Sequence, residues 1–340
     1  MKALFIGGTG TISTAITQLA PSCGFELYLL NRGNRTELVP DGVKIIQADI
    51  NNESEVKEKL GDMSFDVVAQ FIAFNTEALE RDVRLFAGRT RQYIFISSAS
   101  AYQKPLSSPF ITESTPLSNP YWEYSRDKIA CEEYLMKEYR RQGFPITIIR
   151  PSHTYGNFDV PVALHGKNGS YSVIERIRQG KKVIVHGDGS SLWTLTHNTD
   201  FARAFVGLMG NIHAIGETVQ ITSDESLTWN QIYEIIGAAL GCKPKLVHIP
   251  SETLARAYPD CLGGLLGDKS HTVIFDNSKL KQLVPGYTAG VRFDQGVRRT
   301  LAFLEQHPQY QKTDPEFDVW TDKIIDAYES LERQLPSFSL

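Results

Sequence analysis

The chain has 340 residues, 41% of them hydrophobic and 22% charged, with a net charge of −4 and a pI near 6.1. That balance suits a globular protein long enough for two domains, and it excludes a general attraction to phosphate backbones or anionic lipid. Cys23, Cys131, Cys242 and Cys261 lie far apart with no Cys-x-x-Cys, and no apolar run reaches membrane-spanning length, which predicts reduced thiols, no export, no membrane insertion and a cytoplasmic location.

The chain opens with a short apolar strand, "KALFI", then the glycine turn "GGTGTIS", then a helix whose Ile12, Ala15, Ile16 and Leu19 recur at helical spacing. Gly7, Thr9, Gly10, Thr11 and Ile12 of this turn are the expected cradle for a pyrophosphate: glycines permit close backbone approach, and a helix N-terminus offers free N–H groups. A purely structural turn also uses glycine, so the motif gains weight only from its strand-to-helix position. Serine stands at the third place of the motif, Ser13, where glycine is usual.

The second strand, "FELYLLN", ends without the acidic residue that would hold a free adenosine ribose, presenting Asn31, Arg32 and Arg35 instead. Arginines there suit a 2′-phosphate, so NADP(H) is favoured over NAD(H); the alternative is that Arg32 and Arg35 are solvated loop charges. A third strand, "VKIIQADI", ends at Asp49 and Ile50, which either hold the adenine edge or, in the case of Asp49, cap the next helix. Further strands, "FDVVAQFIA", "QYIFISS" and "ITIIRPS", alternate with helices near 53–61, 76–88 and 124–143. The pattern predicts an α/β fold, a Rossmann-type doubly wound parallel sheet with a smaller mixed α/β C-terminal substrate lobe. Residues 1–155 form the expected dinucleotide-binding domain, with 192–222 returning to it, while 156–191 and 223–340 form the lobe. Helices are expected at 229–240 and 294–305, and a cleft between the lobes is the default ligand site.

Within "YSRDK" the phenol of Tyr124 and the ammonium of Lys128 stand one turn apart on one helix face. A nearby ammonium favours phenolate and makes tyrosine, otherwise a poor base, useful near neutral pH. Taken alone the pair is compatible with an ordinary solvated helix face.

The glycine turn, "FISSASAY", Tyr124-x-x-x-Lys128, "RPSHTYG" and "GDGSSLWTLTHNTDFARAF", in this order, resemble the extended and atypical short-chain dehydrogenase/reductases, the NAD-dependent epimerase/dehydratase family. The "GGT" turn with "NRG" resembles a branch that includes chloroplast stem-loop RNA-binding proteins. The resemblance implies catalysis by Ser98, Tyr124 and Lys128, with Tyr124 exchanging a proton with a substrate hydroxyl, Lys128 tuning it and holding the nicotinamide ribose, and Ser98 hydrogen-bonding the same oxygen. Ser98 is taken over Ser97 because Tyr102 then falls four residues on, where the family has an aromatic.

It also places Phe71, Ile72, Ala73, Ser97, Pro151 and His153 along the dinucleotide, and Ser98, Ser100, His153 and Trp193 near substrate. The implied reaction is oxidoreduction or epimerisation at a secondary alcohol or ketone of a sugar or nucleotide-sugar-like small molecule, with a homodimer implied through the Tyr124 helix. Ala99-Ser100 replaces the Asp-Glu pair of the sugar dehydratases, and Trp193 replaces an arginine that grips a diphosphate, which argues against dehydration and against a standard nucleotide-sugar grip. The alternative is an RNA-binding or dinucleotide-sensing protein without turnover; Arg176, Arg178, Lys181 and Lys182 are the only local basic material for it. No histidine pair has metal-ligand spacing, so no metal is expected.

Overall fold

A strand buried on both faces must be apolar at every position, and "KALFI" meets that condition from Ala3 onward. In the computed structural model, which describes residues 1–336, it is β1 (Lys2–Ile6), central in a seven-stranded sheet. The other strands are β2 (Glu26–Asn31), β3 (Lys44–Gln47), β4 (Val67–Gln70), β5 (Tyr93–Ile96), β6 (Ile146–Pro151) and β7 (Thr218–Ile221). Their spatial order is β7-β6-β5-β4-β1-β2-β3, and every neighbouring pair is parallel. The chain runs outward from β1 through β2 to β3, then returns to the other side of β1 with β4. That reversal opens a crevice beyond the carboxyl ends of β1 and β4, the place where open α/β sheets bind ligands.

Alternating side chains of each strand feed two cores. Phe5, Leu27, Leu29 and Ile94 pack with Ile16 of α1 (Ser13–Leu19) and with Phe201 and Phe205 of the Asn198–Leu208 helix. On the opposite face Leu4, Ile6, Val68 and Phe95 meet Val56 of α2 (Glu53–Leu60), Leu79 and Phe86 of α3 (Thr76–Phe86), and Leu135 of α4 (Glu123–Gln142). Helix starts follow local chemistry: Asn52 and Asn75 accept hydrogen bonds from Glu55 N and Ala78 N, and α4 ends at Gly143 with φ +70°.

The sheet unit comprises 1–154, 194–224 and 275–291. Membership of 275–291 was not legible in the sequence, which assigned that stretch to the lobe. The second unit comprises 155–193, 225–274 and the chain from 292. It contains the helices Tyr171–Arg178, Trp229–Leu240, Phe293–Gln306 and Pro315–Gln334, and a parallel pair of strands, Lys182–His186 with Lys245–Ile249. The Trp229–Leu240 helix starts on a capping box between Thr228 and Gln231 and stops at Gly241, so both ends are local signals. The 20-residue helix Pro315–Gln334 was not anticipated, although Asp314 at its N-cap and Pro315 after it are a recognisable start. Among the described residues no helix is long and apolar enough to cross a membrane.

Candidate active site

The glycine turn sits at the crevice. Gly7 and Gly8 both take φ +102°, a conformation that a side chain strains. A Cβ on Gly8 would stand 2.7 Å from Leu29 Cδ2, so this glycine is required by packing as well as by backbone conformation. Gly10 differs: its φ is not positive, and an added Cβ would meet only Ser13 Oγ at 3.6 Å. The serine at the third motif position has its own task, because Ser13 Oγ accepts the Gly10 N–H at 2.9 Å and closes the turn. The first helix has no side-chain cap.

These residues line one end of a cavity of about 800 Å³, built wholly from the sheet unit. Asn31 ties the end of β2 to the turn, accepting from Gly33 N at 2.9 Å and donating to Gly7 O at 3.3 Å. Arg32 and Arg35 line the cavity, are exposed, and form no ion pair among the described residues; Arg35 donates to Thr9 O at 3.3 Å. Asp49 and Ile50 form the adjoining wall. Asp49 does not cap α2, since Asn52 does; its carboxylate accepts from Asn51 N at 2.9 Å. Phe71 and Ile72 follow β4 into the cavity wall, with Ser97, Ser98, Tyr124, Lys128, Pro151 and His153 at the other end.

Lys128 is 2% exposed, and its ammonium donates to Ala73 O and Ile96 O, both at 2.8 Å. Burial depresses its pKa to about 8, so at neutral pH it is still charged. The ammonium lies 4.7 Å from the ring centres of Phe74 and Phe95 and 5.8 Å from that of Tyr124. The Tyr124 ring in turn is flanked by Trp122 at 5.0 Å and Phe74 at 6.3 Å. Ala73 therefore contributes a carbonyl that holds Lys128; it does not itself line the cavity, contrary to the direct cofactor contact expected of it.

Ser97 and Ser98 are neighbours with different surroundings. Ser97 is buried and donates to Glu132 of α4, whose carboxylate forms a two-pronged pair with Arg150 at 2.9 and 2.6 Å. This pair fastens the Tyr124 helix to the ends of β5 and β6. Ser98 caps a single 3₁₀ turn at Ala99–Ala101, accepting from Ser100 N at 3.1 Å, and faces the cavity.

The family model described as the NAD dependent epimerase/dehydratase family matches residues 3–222. The chain belongs to that family. It is an enzyme of the NAD-dependent epimerase/dehydratase type. It is 24% identical over 291 residues to the 2′-dehydrokanamycin reductase of Streptomyces kanamyceticus, covering 84% of this chain and 80% of the relative. It is 25% identical over 268 residues to the chloroplast stem-loop binding protein of 41 kDa b of Arabidopsis thaliana, covering 73% of this chain and 65% of the relative. Its fold is similar to that of the UDP-glucose 4-epimerase of Thermus thermophilus, solved with NAD, with TM-score 0.70, 20% identity, and coverage of 90% and 100% of the two chains.

In this epimerase/dehydratase-family chain two of the residues expected near substrate are placed elsewhere. Trp193 is 3% exposed and packs its ring on Trp229 at 5.7 Å inside the second unit, so it is core there. Ser100 is also buried, behind Ser98 and off the cavity. The basic segment is no open cationic patch either. Arg176 is 2% exposed and pairs with Asp318 and Asp322; Arg178 pairs with Glu175 and Glu305, Lys181 with Asp318, and Lys182 with Glu329. Most of these carboxylates come from the unanticipated helix Pro315–Gln334, which is why the compensation was invisible locally. Residues that the sequence reading missed include Gly8, Asn34, Phe74, Ser152 and Thr154 along the cavity, and Glu132 behind it. Glu132 stands one turn beyond Lys128, and that i, i+4 spacing was the available signal.

Proposed function

We propose that this protein is an NAD(P)-dependent oxidoreductase or epimerase acting at a secondary alcohol or ketone of a sugar or nucleotide-sugar-like substrate. The observation that carries the reading is the dry, charged Lys128 beside the Tyr124 ring, in the same cavity as Ser98 and the glycine turn. Two of the three ammonium N–H bonds are used on Ala73 O and Ile96 O, which leaves one for a ligand. A charge held in such a low-dielectric place acts strongly on the neighbouring phenol and favours its ionised form. Tyr124 then exchanges a proton with the substrate oxygen while Ser98 hydrogen-bonds it. The dinucleotide supplies or accepts the hydride when bound.

The fit to a dinucleotide rests on Gly7 and Gly8 in positive φ, on Gly10 open to the cavity, and on a cavity that joins this turn to His153 and Lys128. Arg32 and Arg35, exposed on the cavity wall without carboxylate partners among the described residues, support NADP(H) over NAD(H). The relatives named for sugar chemistry support the substrate class, and the paired state of the Arg176–Lys182 segment removes the local basic patch that an RNA reading would use.

Calorimetric titration with NADP(H) and NAD(H), followed by a screen of sugars and nucleotide sugars, tests the reading. Tyr124→Phe should lower turnover by at least about 100-fold while leaving dinucleotide affinity within a few fold; full activity in that variant would refute the catalytic role. Replacing Arg32 and Arg35 together by Ala should weaken NADP(H) selectively by about tenfold or more, and an equal loss for NAD(H) would refute the 2′-phosphate contact.

A further inference from the structure

Behind Ser98 lies a chain of hydroxyls drawn from two separate elements. Ser125, fully buried in the first turns of α4, donates to Ser100 Oγ at 2.8 Å. Ser100 Oγ lies 2.9 Å from Ser98 Oγ, and Ser100 N donates to the same Ser98 oxygen at 3.1 Å. Ser100 is 3% exposed, and Asn119 Nδ2 holds its carbonyl at 2.8 Å.

Counting protons fixes the direction of the chain. A serine hydroxyl has one proton and two acceptor sites. Ser100 receives the proton of Ser125, so its own O–H needs an acceptor, and among the described residues the available one is Ser98 Oγ. The reverse arrangement, Ser98 donating to Ser100, would leave a buried O–H without a partner, a loss that folded proteins avoid. Ser98 Oγ is thereby filled on its acceptor side, by the N–H and the O–H of Ser100. Its remaining capacity is one O–H, directed at whatever occupies the cavity.

We propose that Ser125 and Ser100 are positioning residues that lock Ser98 as a hydrogen-bond donor, so that the resting site recognises an acceptor oxygen, the carbonyl form of the substrate. This inference rests on the assignment of Ser98 to the substrate oxygen. A ketone oxygen, and the negative charge that grows on it during reduction, accepts the Ser98 proton directly, whereas an alcohol binds there only by offering a lone pair. Its own proton then goes to Tyr124. The arrangement is a small preorganised donor of the kind that stabilises developing oxyanions, and it needs no rotation of Ser98 when the carbonyl arrives.

Neutron diffraction from deuterium-exchanged crystals of the full chain with NADP⁺ reads these positions without any substrate. The expected map has the Ser125 deuteron on Ser100 Oγ, the Ser100 deuteron on Ser98 Oγ, and the Ser98 deuteron pointing into the cavity. A deuteron of Ser98 lying on Ser100 Oγ would overturn the proposal. Maps of Ser100→Ala provide a second arm, in which the Ser98 deuteron should spread over more than one orientation because its fixed acceptor pattern is gone; an unchanged single orientation would show that Ser100 does not set it. Failure of the functional reading is a different result: Ser98→Ala or Tyr124→Phe would retain turnover, with the deuteron map intact.

Discussion

Lys128→Met removes a charge that the fold has buried and keeps the unbranched side chain as far as Cε. The drop of the lysine from its ordinary 10.5 to about 8 corresponds to about 3 kcal/mol of cost for holding the ammonium in its dry site. At neutral pH the methionine relieves that cost but leaves Ala73 O and Ile96 O without their donor, at about 1–3 kcal/mol each. The two effects oppose, so stability at pH 7 should stay within about 3 kcal/mol of the parent.

The decisive quantity is how that difference changes with pH. Below about pH 8 the lysine is charged folded and unfolded, and the penalty is fully present. Between about 8 and 10.5 the folded protein gives up its proton before the unfolded chain does, so the parent gains stability with rising pH. At about pH 9.5 the gain should be about 2 kcal/mol, at ~1.36 kcal/mol per pH unit. The neighbouring Cys131 thiol, pushed up to about 11 by burial, stays neutral through this window. Urea unfolding of both proteins at pH 7 and 9.5 measures the difference of differences, in which groups untouched by the substitution cancel. The parent should gain on the variant between the two pH values, and a constant gap would refute the buried-ammonium account. The same variant should lose turnover, because no cation remains beside Tyr124.

Gly10→Val should weaken dinucleotide binding by about tenfold or more, because the new side chain occupies cavity space. It should cost little stability, whereas Gly8→Val, at φ +102° and against Leu29, should destabilise strongly; calorimetry paired with urea unfolding separates the two. Glu132→Ala strands the buried Arg150 and should cost about 3–5 kcal/mol, read as a lower urea midpoint; a change under about 0.5 kcal/mol would refute the pinning role of the pair.

Much of the sheet unit, and part of the second unit, was readable from the chain because the signals are local. An apolar run buried on both faces, a glycine turn and a helix with a period near 3.6 each report on residues a few positions apart, and "KALFI", "GGTGTIS" and Trp229–Leu240 are of that kind. Tyr124 and Lys128 share a helix face for the same reason, and the order of motifs carried the family. Tertiary structure decided the rest. Lys128 is held by carbonyls 55 and 32 residues away, and Arg176 by carboxylates more than 140 residues away. Trp193 and Ser100 became interior because of what packs on them, and Ser98 acquired its donor role from Ser125 across 25 residues of chain that separate it from Ser100. Local periodicity records which way a side chain points along its own element. It holds no record of which distant group will be there to meet it, and burial, charge compensation and proton direction all depend on that meeting.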